Sequence, residues 1–300
     1  MDIPSHCTLC PRACGADRRY HRGFCGGGAQ VRLARAALHF GEEPCISGTH
    51  GSGTVFFSGC PLQCCFCQNF PISAHHQGID ISIDRLSAIF LELQEQGAHN
   101  INLVNPTHYT PWVAQALKQV RPMLRIPVIC NTSGYERPAT LAMFDGLVDA
   151  YLPDLKYMNP SRAARYSRAA DYPSVAQQAI RAMVAQTGPF TVDAHGLLTG
   201  GVLIRHLILP GGRKDAMAAV QWIRDTFAPG QVQISLMRQY TPMHQSAAYP
   251  EINRTLTTFE YESVLNTAVA CGLQGYQQGR GSATSEQTPC FDGTGVLPKA

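Results

Sequence analysis

Residues 54–69 read T-V-F-F-S-G-C-P-L-Q-C-C-F-C-Q-N, and their reading decides the fold. Thr54–Phe57 is a short β-branched and aromatic run of the kind that forms a buried strand, closed by a Ser-Gly turn. Cys60, Cys64 and Cys67 follow at once in a C-x3-C-x2-C spacing, with Cys65 between them. A helical pattern comes next. Ser82 can cap a helix whose Leu86, Ile89, Phe90 and Leu93 fall on one stripe, with Gly97 as its stop.

The alternation then continues. Further strand-like runs lie at Ile101–Val104, Ile126–Ile129, Val148–Leu152, Val202–Leu209 and Val232–Leu236. Pro111 suits the first turn of a helix, and helices are expected near 138–145, 174–186, 214–227 and 257–270. Six strand–helix repeats predict an α/β chain whose parallel sheet wraps toward a barrel. In such sheets chemistry gathers at the C-terminal ends of the strands, which is where the cysteine run falls.

Composition narrows the function classes. The chain has 300 residues, 45% hydrophobic and 15% charged, with 27 Gly and 20 Pro. That is enough apolar matter for a sizeable core, with much surface left to uncharged loops. A net charge of +3 gives no case for a nucleic-acid or membrane partner. Arg12, Arg18, Arg19, Arg22, Arg32 and Arg35 are expected to form a solvated face, with an anion or partner site as the alternative. No run is long and apolar enough to span a bilayer, and MDIPSHCTLC has no signal-peptide pattern, so a cytoplasmic location is expected. In a reducing compartment, 12 cysteines read as metal or redox sites. Cys130, Cys271 and Cys290 stand alone and are expected as buried free thiols.

Three organisational units are expected: a Cys-rich metal-binding lobe over 1–45, a barrel over 46–280 and an irregular tail over 281–300. The lobe lacks the apolar area to fold alone. Its Cys7, Cys10, Cys14 and Cys25 make a full ligand set for zinc or for an iron–sulfur cluster, with Cys45 as a competitor. Zinc would make the lobe a structural staple, a cluster would make it an electron relay, and free or reactive thiols are the remaining reading. Three thiolates at 60, 64 and 67 would leave one iron of a cubane without a protein ligand, and Phe66 adds an apolar aromatic beside it. A zinc knuckle that recruits Cys65, His75 or His76 is the alternative.

The C-x3-C-x-aromatic-C run resembles the signature of the radical S-adenosylmethionine (SAM) superfamily. E-E-P-C-I-S-G at 42–48 with G-S-G-T-V-F-F-S-G-C at 51–60 resembles the branch of pyruvate formate-lyase activating enzyme. Within it, the chain is similar to uncharacterised activase-like iron–sulfur proteins through C-T-L-C-P-R-A-C at 7–14, N-P-T-H-Y at 105–109, Y-L-P-D-L-K-Y at 151–157, R-H-L-I-L-P-G at 205–211 and L-M-R-Q-Y at 236–240.

The resemblance implies a partial (β/α)6 TIM-type barrel with a small Cys-rich N-terminal lobe. It implies an oxidoreductase with a 4Fe–4S cluster that cleaves SAM to a 5′-deoxyadenosyl radical. A flavodoxin- or ferredoxin-type donor would reduce it, and a glycyl-radical enzyme would be its substrate. Where activases end the second strand in Gly-Gly-Glu, this chain has Asn105, Pro106 and Thr107, so the SAM ammonium would meet Asn105, Thr107 or backbone carbonyls. His108 beside them reads as either a pocket or a structural residue. Asn131 and Thr132 match the turn near the SAM carboxylate, Asp154 and Lys156 the Asp-Leu-Lys motif, and His206 a histidine near the cofactor. Alternation separates His206 from Arg205 and Leu207 on the opposite face of that strand. Modification of another peptide or a small molecule is a second reading, and a non-catalytic electron carrier or metal-binding protein a third.

Overall fold

Short runs rich in Val, Ile, Leu and Phe, each bounded by a turn, give the chain its sheet. A computed structural model describes residues 3–279 and 288–298. In chain order the elements are β1 (Val31–His39), α1 (Pro44–Ser47), β2 (Ser52–Phe57), α2 (Phe70–Ser73), β3 (Ile79–Ile81), α3 (Ile83–Glu95), β4 (Ile101–Val104), α4 (Thr110–Val120), β5 (Val128–Thr132), α5 (Pro138–Leu141), β6 (Ala150–Pro153), α6 (Pro160–Ser167), α7 (Tyr172–Thr187), β7 (Thr191–Val192), β8 (Leu198–Leu207), α8 (Arg213–Thr226), β9 (Val232–Met237), α9 (Thr258–Ala270) and β10 (Gly275–Gln277).

The sheet runs β10-β9-β8-β6-β5-β4-β2-β1-β3, with β7 paired to β8. From β2 to β10 along this order all neighbours are parallel. β1 and β3 add antiparallel strands beyond β2. This is an α/β partial barrel, as expected, and all six expected strands are present. Sequence reading missed β1, β3, β7, β10 and the helices α1, α2 and α6. The expected lobe over 1–45 contains β1, which is part of the sheet, and the start of α1, so among its described residues 3–30 and 40–43 lack helix or strand.

Strand alternation sorts the core into two layers. Outward-facing Val55, Leu103, Cys130, Tyr151 and Ile204 pack in the large cluster under the helices. Inward-facing Ile129, Ala150, Leu152 and Leu203 form a smaller cluster with Cys45 and Ile46 from α1. Cys45 is thus taken up by the barrel interior. Residues 288–298 have no helix or strand, yet they return onto the sheet: Ala36 N–H donates to Thr294 O at 2.8 Å, Gly293 N–H to Ala34 O at 3.0 Å, and Val296 is fully buried. Among the described residues no helix is long and apolar enough to cross a membrane.

Candidate active site

A cavity opens at the C-terminal ends of the parallel strands, and the cysteine loop after β2 forms one wall of it. Cys60, Cys64 and Cys67 all line it, as does Phe66, whose ring meets Tyr240 edge-on at 5.8 Å. Each thiol has a donor beside it. Leu62 N–H points at Cys60 Sγ (3.4 Å), Ser167 Oγ–H at Cys64 Sγ (3.0 Å), and Ser73 Oγ lies 3.2 Å from Cys67 Sγ. Burial pushes the Cys64 thiol up to about 12, and burial raises Cys60 and Cys67 as well. The donors and the nearby Lys156 work the other way, favouring the thiolate form that a metal needs.

Cys65 turns away from the cavity. Its backbone ties the loop down, with Cys65 N–H donating to Tyr166 O and Gln245 N–H to Cys65 O, both at 2.8 Å. His75 packs against Phe70 and His244, and His76 against Gly26. None of the three lines the cavity.

The opposite wall carries strand-end residues. Asn105, Asn131, Thr132, Asp154 and Lys156 line the cavity. Asn105 adopts a left-handed φ of 57°, which asparagine tolerates, and donates from Nδ2 to Gly59 O at 2.8 Å, bracing the residue before Cys60. Lys156 pairs with Asp154. Burial works against the Lys156 charge, but the Asp154 carboxylate and the Cys64 thiol outweigh it and hold the ammonium protonated. Gly134 lets this wall close. Its φ is 76°, and a Cβ there would sit 2.1 Å from Asp154 O.

Three expected residues lie elsewhere. His206 is on the helix-facing side of β8, with Nδ1 bonded to Leu155 O, and does not line the cavity. The alternation read from the sequence is right, but the cavity takes the other face, Arg205 and Leu207. Thr107 is buried behind the wall, and His108 is a structural residue whose Nε2 meets Ser58 O at 2.8 Å. Burial drops His108 to about 3, so its ring is neutral.

Sequence reading missed two features. Arg205, on the cavity wall, is held by Glu42 and Glu43 in an ion triad whose side chains are 10–11% exposed. The run E-E at 42–43 and Arg205 were both visible, but nothing local links residues so far apart. The second is Glu136, 1% exposed, whose oxygens face the Thr107 and Thr132 hydroxyls without a well-directed hydrogen bond. Burial raises it to about 8.

No family model matches the chain. It is 28% identical over 279 residues to an uncharacterized protein of Methanocaldococcus jannaschii, covering 89% of this chain and 75% of that one. Its structure is similar to methylornithine synthase (TM-score 0.52, 12% identity), over 88% of this chain and 73% of the enzyme. It is also similar to Streptococcus suis SuiB bound to S-adenosylmethionine (TM-score 0.50, 10% identity), over 74% of this chain and 48% of SuiB. At these identities the likeness is one of fold.

Proposed function

We propose that this chain is a radical SAM enzyme whose Cys60, Cys64 and Cys67 hold a 4Fe–4S cluster, with SAM seated between that cluster and the strand ends. One observation carries the reading: three thiols on a single loop share a cavity with Asn131, Thr132 and the Asp154–Lys156 pair at the C-terminal face of a parallel barrel. The cluster and SAM, when bound, supply reductive cleavage of SAM to methionine and a 5′-deoxyadenosyl radical. The chain's part is to bind, orient and exclude water.

The donor set fits the group. Three thiolates with N–H and O–H donors beside them suit iron, and the chain offers no fourth ligand on the cavity wall from Cys65, His75 or His76. Lys156 and Asp154 offer one charge of each sign to the amino-acid end of SAM. Phe66 supplies an apolar face.

The motif likeness at 42–60 and 151–157 supports a finer reading: hydrogen abstraction from a glycyl-radical enzyme, with a flavodoxin- or ferredoxin-type reductant. The test begins with the anaerobically reconstituted, dithionite-reduced protein and SAM. Formation of 5′-deoxyadenosine is expected, and Cys60→Ala, Cys64→Ala or Cys67→Ala should each reduce it at least a hundredfold. Full cleavage by any of these variants overturns the ligand assignment. A glycyl-radical signal after addition of a candidate partner tests the finer reading separately.

A further inference from the structure

Arg18 is 1% exposed, and among the described residues its contacts are with carbonyls and aromatic rings and not with a carboxylate. Its Nε donates to Gly28 O at 3.1 Å and its Nη1 to His108 O, while its guanidinium stacks 4.6 Å from the Trp112 ring centre and 5.1 Å from that of Tyr109. Nη2 is buried without any hydrogen-bond partner. A buried, uncompensated cation is costly, so a fold that keeps one implies an anionic neighbour. The side chain ends against Gly27, where a Cβ would lie 2.4 Å from Nη2 and 3.3 Å from Cys25 Sγ.

Cys25 belongs to a set. A single position above Gly23 lies 3.5 Å from Cys14 Sγ and 3.6 Å from Cys25 Sγ. Cys7 and Cys10 lie within charge–charge range of each other and of Cys25. Local turns shape the two loops that carry them: Gly15 N–H donates to Cys7 O, Ala13 N–H to Cys10 O and Gly26 N–H to Gly23 O, at 2.9–3.0 Å, although among the described residues the thiols do not yet form a closed ligand group. Cys7, Cys10 and Cys25 are buried and Cys14 is at the surface. The segment from 3 to 30 has no helix or strand to hold these turns in place.

We propose that Cys7, Cys10, Cys14 and Cys25 hold a second metal centre, a tetrathiolate, with Arg18 as its buried counter-charge. Four thiolates around zinc or around a cubane leave a net negative charge, which is what the Arg18 guanidinium lacks. The ligands need only close on the metal, and the binding free energy orders a segment too poor in apolar residues to order itself. This centre adjoins the Cys60 loop directly. Cys60 N–H donates to Cys25 O at 3.0 Å, and Gln63 Nε2 to Phe24 O at 3.0 Å. Gly59, at φ 95°, permits the approach, since a Cβ there would fall 2.2 Å from Cys25 O.

The metal-site proposal does not rest on the SAM chemistry, and its test keeps the two apart. The full chain carrying Cys60→Ala, Cys64→Ala and Cys67→Ala is loaded anaerobically with zinc, or with iron and sulfide, and desalted. About one zinc or about four irons per chain is expected, and metal at background level overturns the proposal. Should that variant fail to fold, Cys7→Ser with Cys10→Ser in the otherwise natural chain serves instead. It should lose one centre's complement and keep the triad's iron, whereas an unchanged metal content overturns the proposal. Arg18→Gln should speed metal loss to a chelator about tenfold, and an unchanged rate removes Arg18 as the counter-charge.

Discussion

Glu136 puts a pH-sensitive cost in the wall behind the cavity. Its pKa, raised to about 8 by burial, exceeds the ordinary carboxyl value of 4.5. Between these values the folded chain keeps a proton that the unfolded chain releases, so stability falls as pH rises through that window. The slope is about 1.4 kcal/mol per pH unit at its steepest. Glu136→Gln should therefore match the natural chain near pH 5 and exceed it by a few kcal/mol at pH 8. Urea unfolding at the two pH values measures this, and equal pH slopes for the two proteins would sink it. Legibility at this scale followed locality. The Cys60, Cys64 and Cys67 spacing and the Asp154–Lys156 pair could be read because their residues are neighbours in sequence. His206 against Arg205 could not be resolved, because period-two alternation splits faces without saying which one looks into the barrel. Arg12 and Arg18 were expected on a solvated face, yet Arg12 donates to Pro61 O at 2.8 Å and Arg18 is buried. Cys290, expected buried, is exposed.

Elements were legible where their period was strong. Ser82 does cap α3, accepting from Arg85 N–H at 3.1 Å, and Leu86, Ile89, Phe90 and Leu93 face the core as the stripe required. α6 escaped notice because its eight residues, Pro160–Ser167, hold two arginines and few large apolar side chains. β1 lay hidden in a stretch read through its cysteines and arginines, and β10 spans only three residues. The β5–β6 junction yields a sharper expectation. At Gly134 an added methyl group would meet both a left-handed φ of 76° and the Asp154 carbonyl at 2.1 Å. Gly97, which follows the C-cap residue Gln96 of α3, has φ 85° with nothing within 4 Å. Gly97→Ala should cost about 1 kcal/mol from backbone strain alone. Gly134→Ala should cost upward of about 2 kcal/mol, since the strand ends must also separate. Chemical denaturation compares them, and equal losses would show that the Asp154 contact yields freely.

At the level of the whole molecule, the tail straps the sheet from outside. Arg85, at the start of α3, donates to Val296 O (2.8 Å), Gly295 O (3.0 Å) and Leu297 O (3.1 Å), while Thr288 and Pro289 reach the cavity mouth. An irregular tail was expected over 281–300; residues 281–287, 299 and 300 lie outside the described part. Composition could not reveal the docking, because Phe291, Val296 and Leu297 are scattered among glycines, threonine and proline without a helix or strand period. Ending the chain at residue 279 should lower unfolding free energy by about 2–4 kcal/mol, the worth of one buried Val and a few hydrogen bonds. An unchanged urea midpoint would show that the strap carries no load.

The two ends of the strand order have a bearing on self-association. Among the described residues the barrel does not close, so β3 and β10 stand at the margins of the sheet, where another chain could add a strand. Each is three residues long, β3 bears Asp80 paired to Arg32, and β10 begins at Gly275, whose φ of 153° departs from regular strand geometry. Short, charged and irregular margins give an incoming strand too few consecutive hydrogen bonds to hold. The open architecture with its cavity on one face therefore carries little risk of sheet-to-sheet polymerisation along its sides.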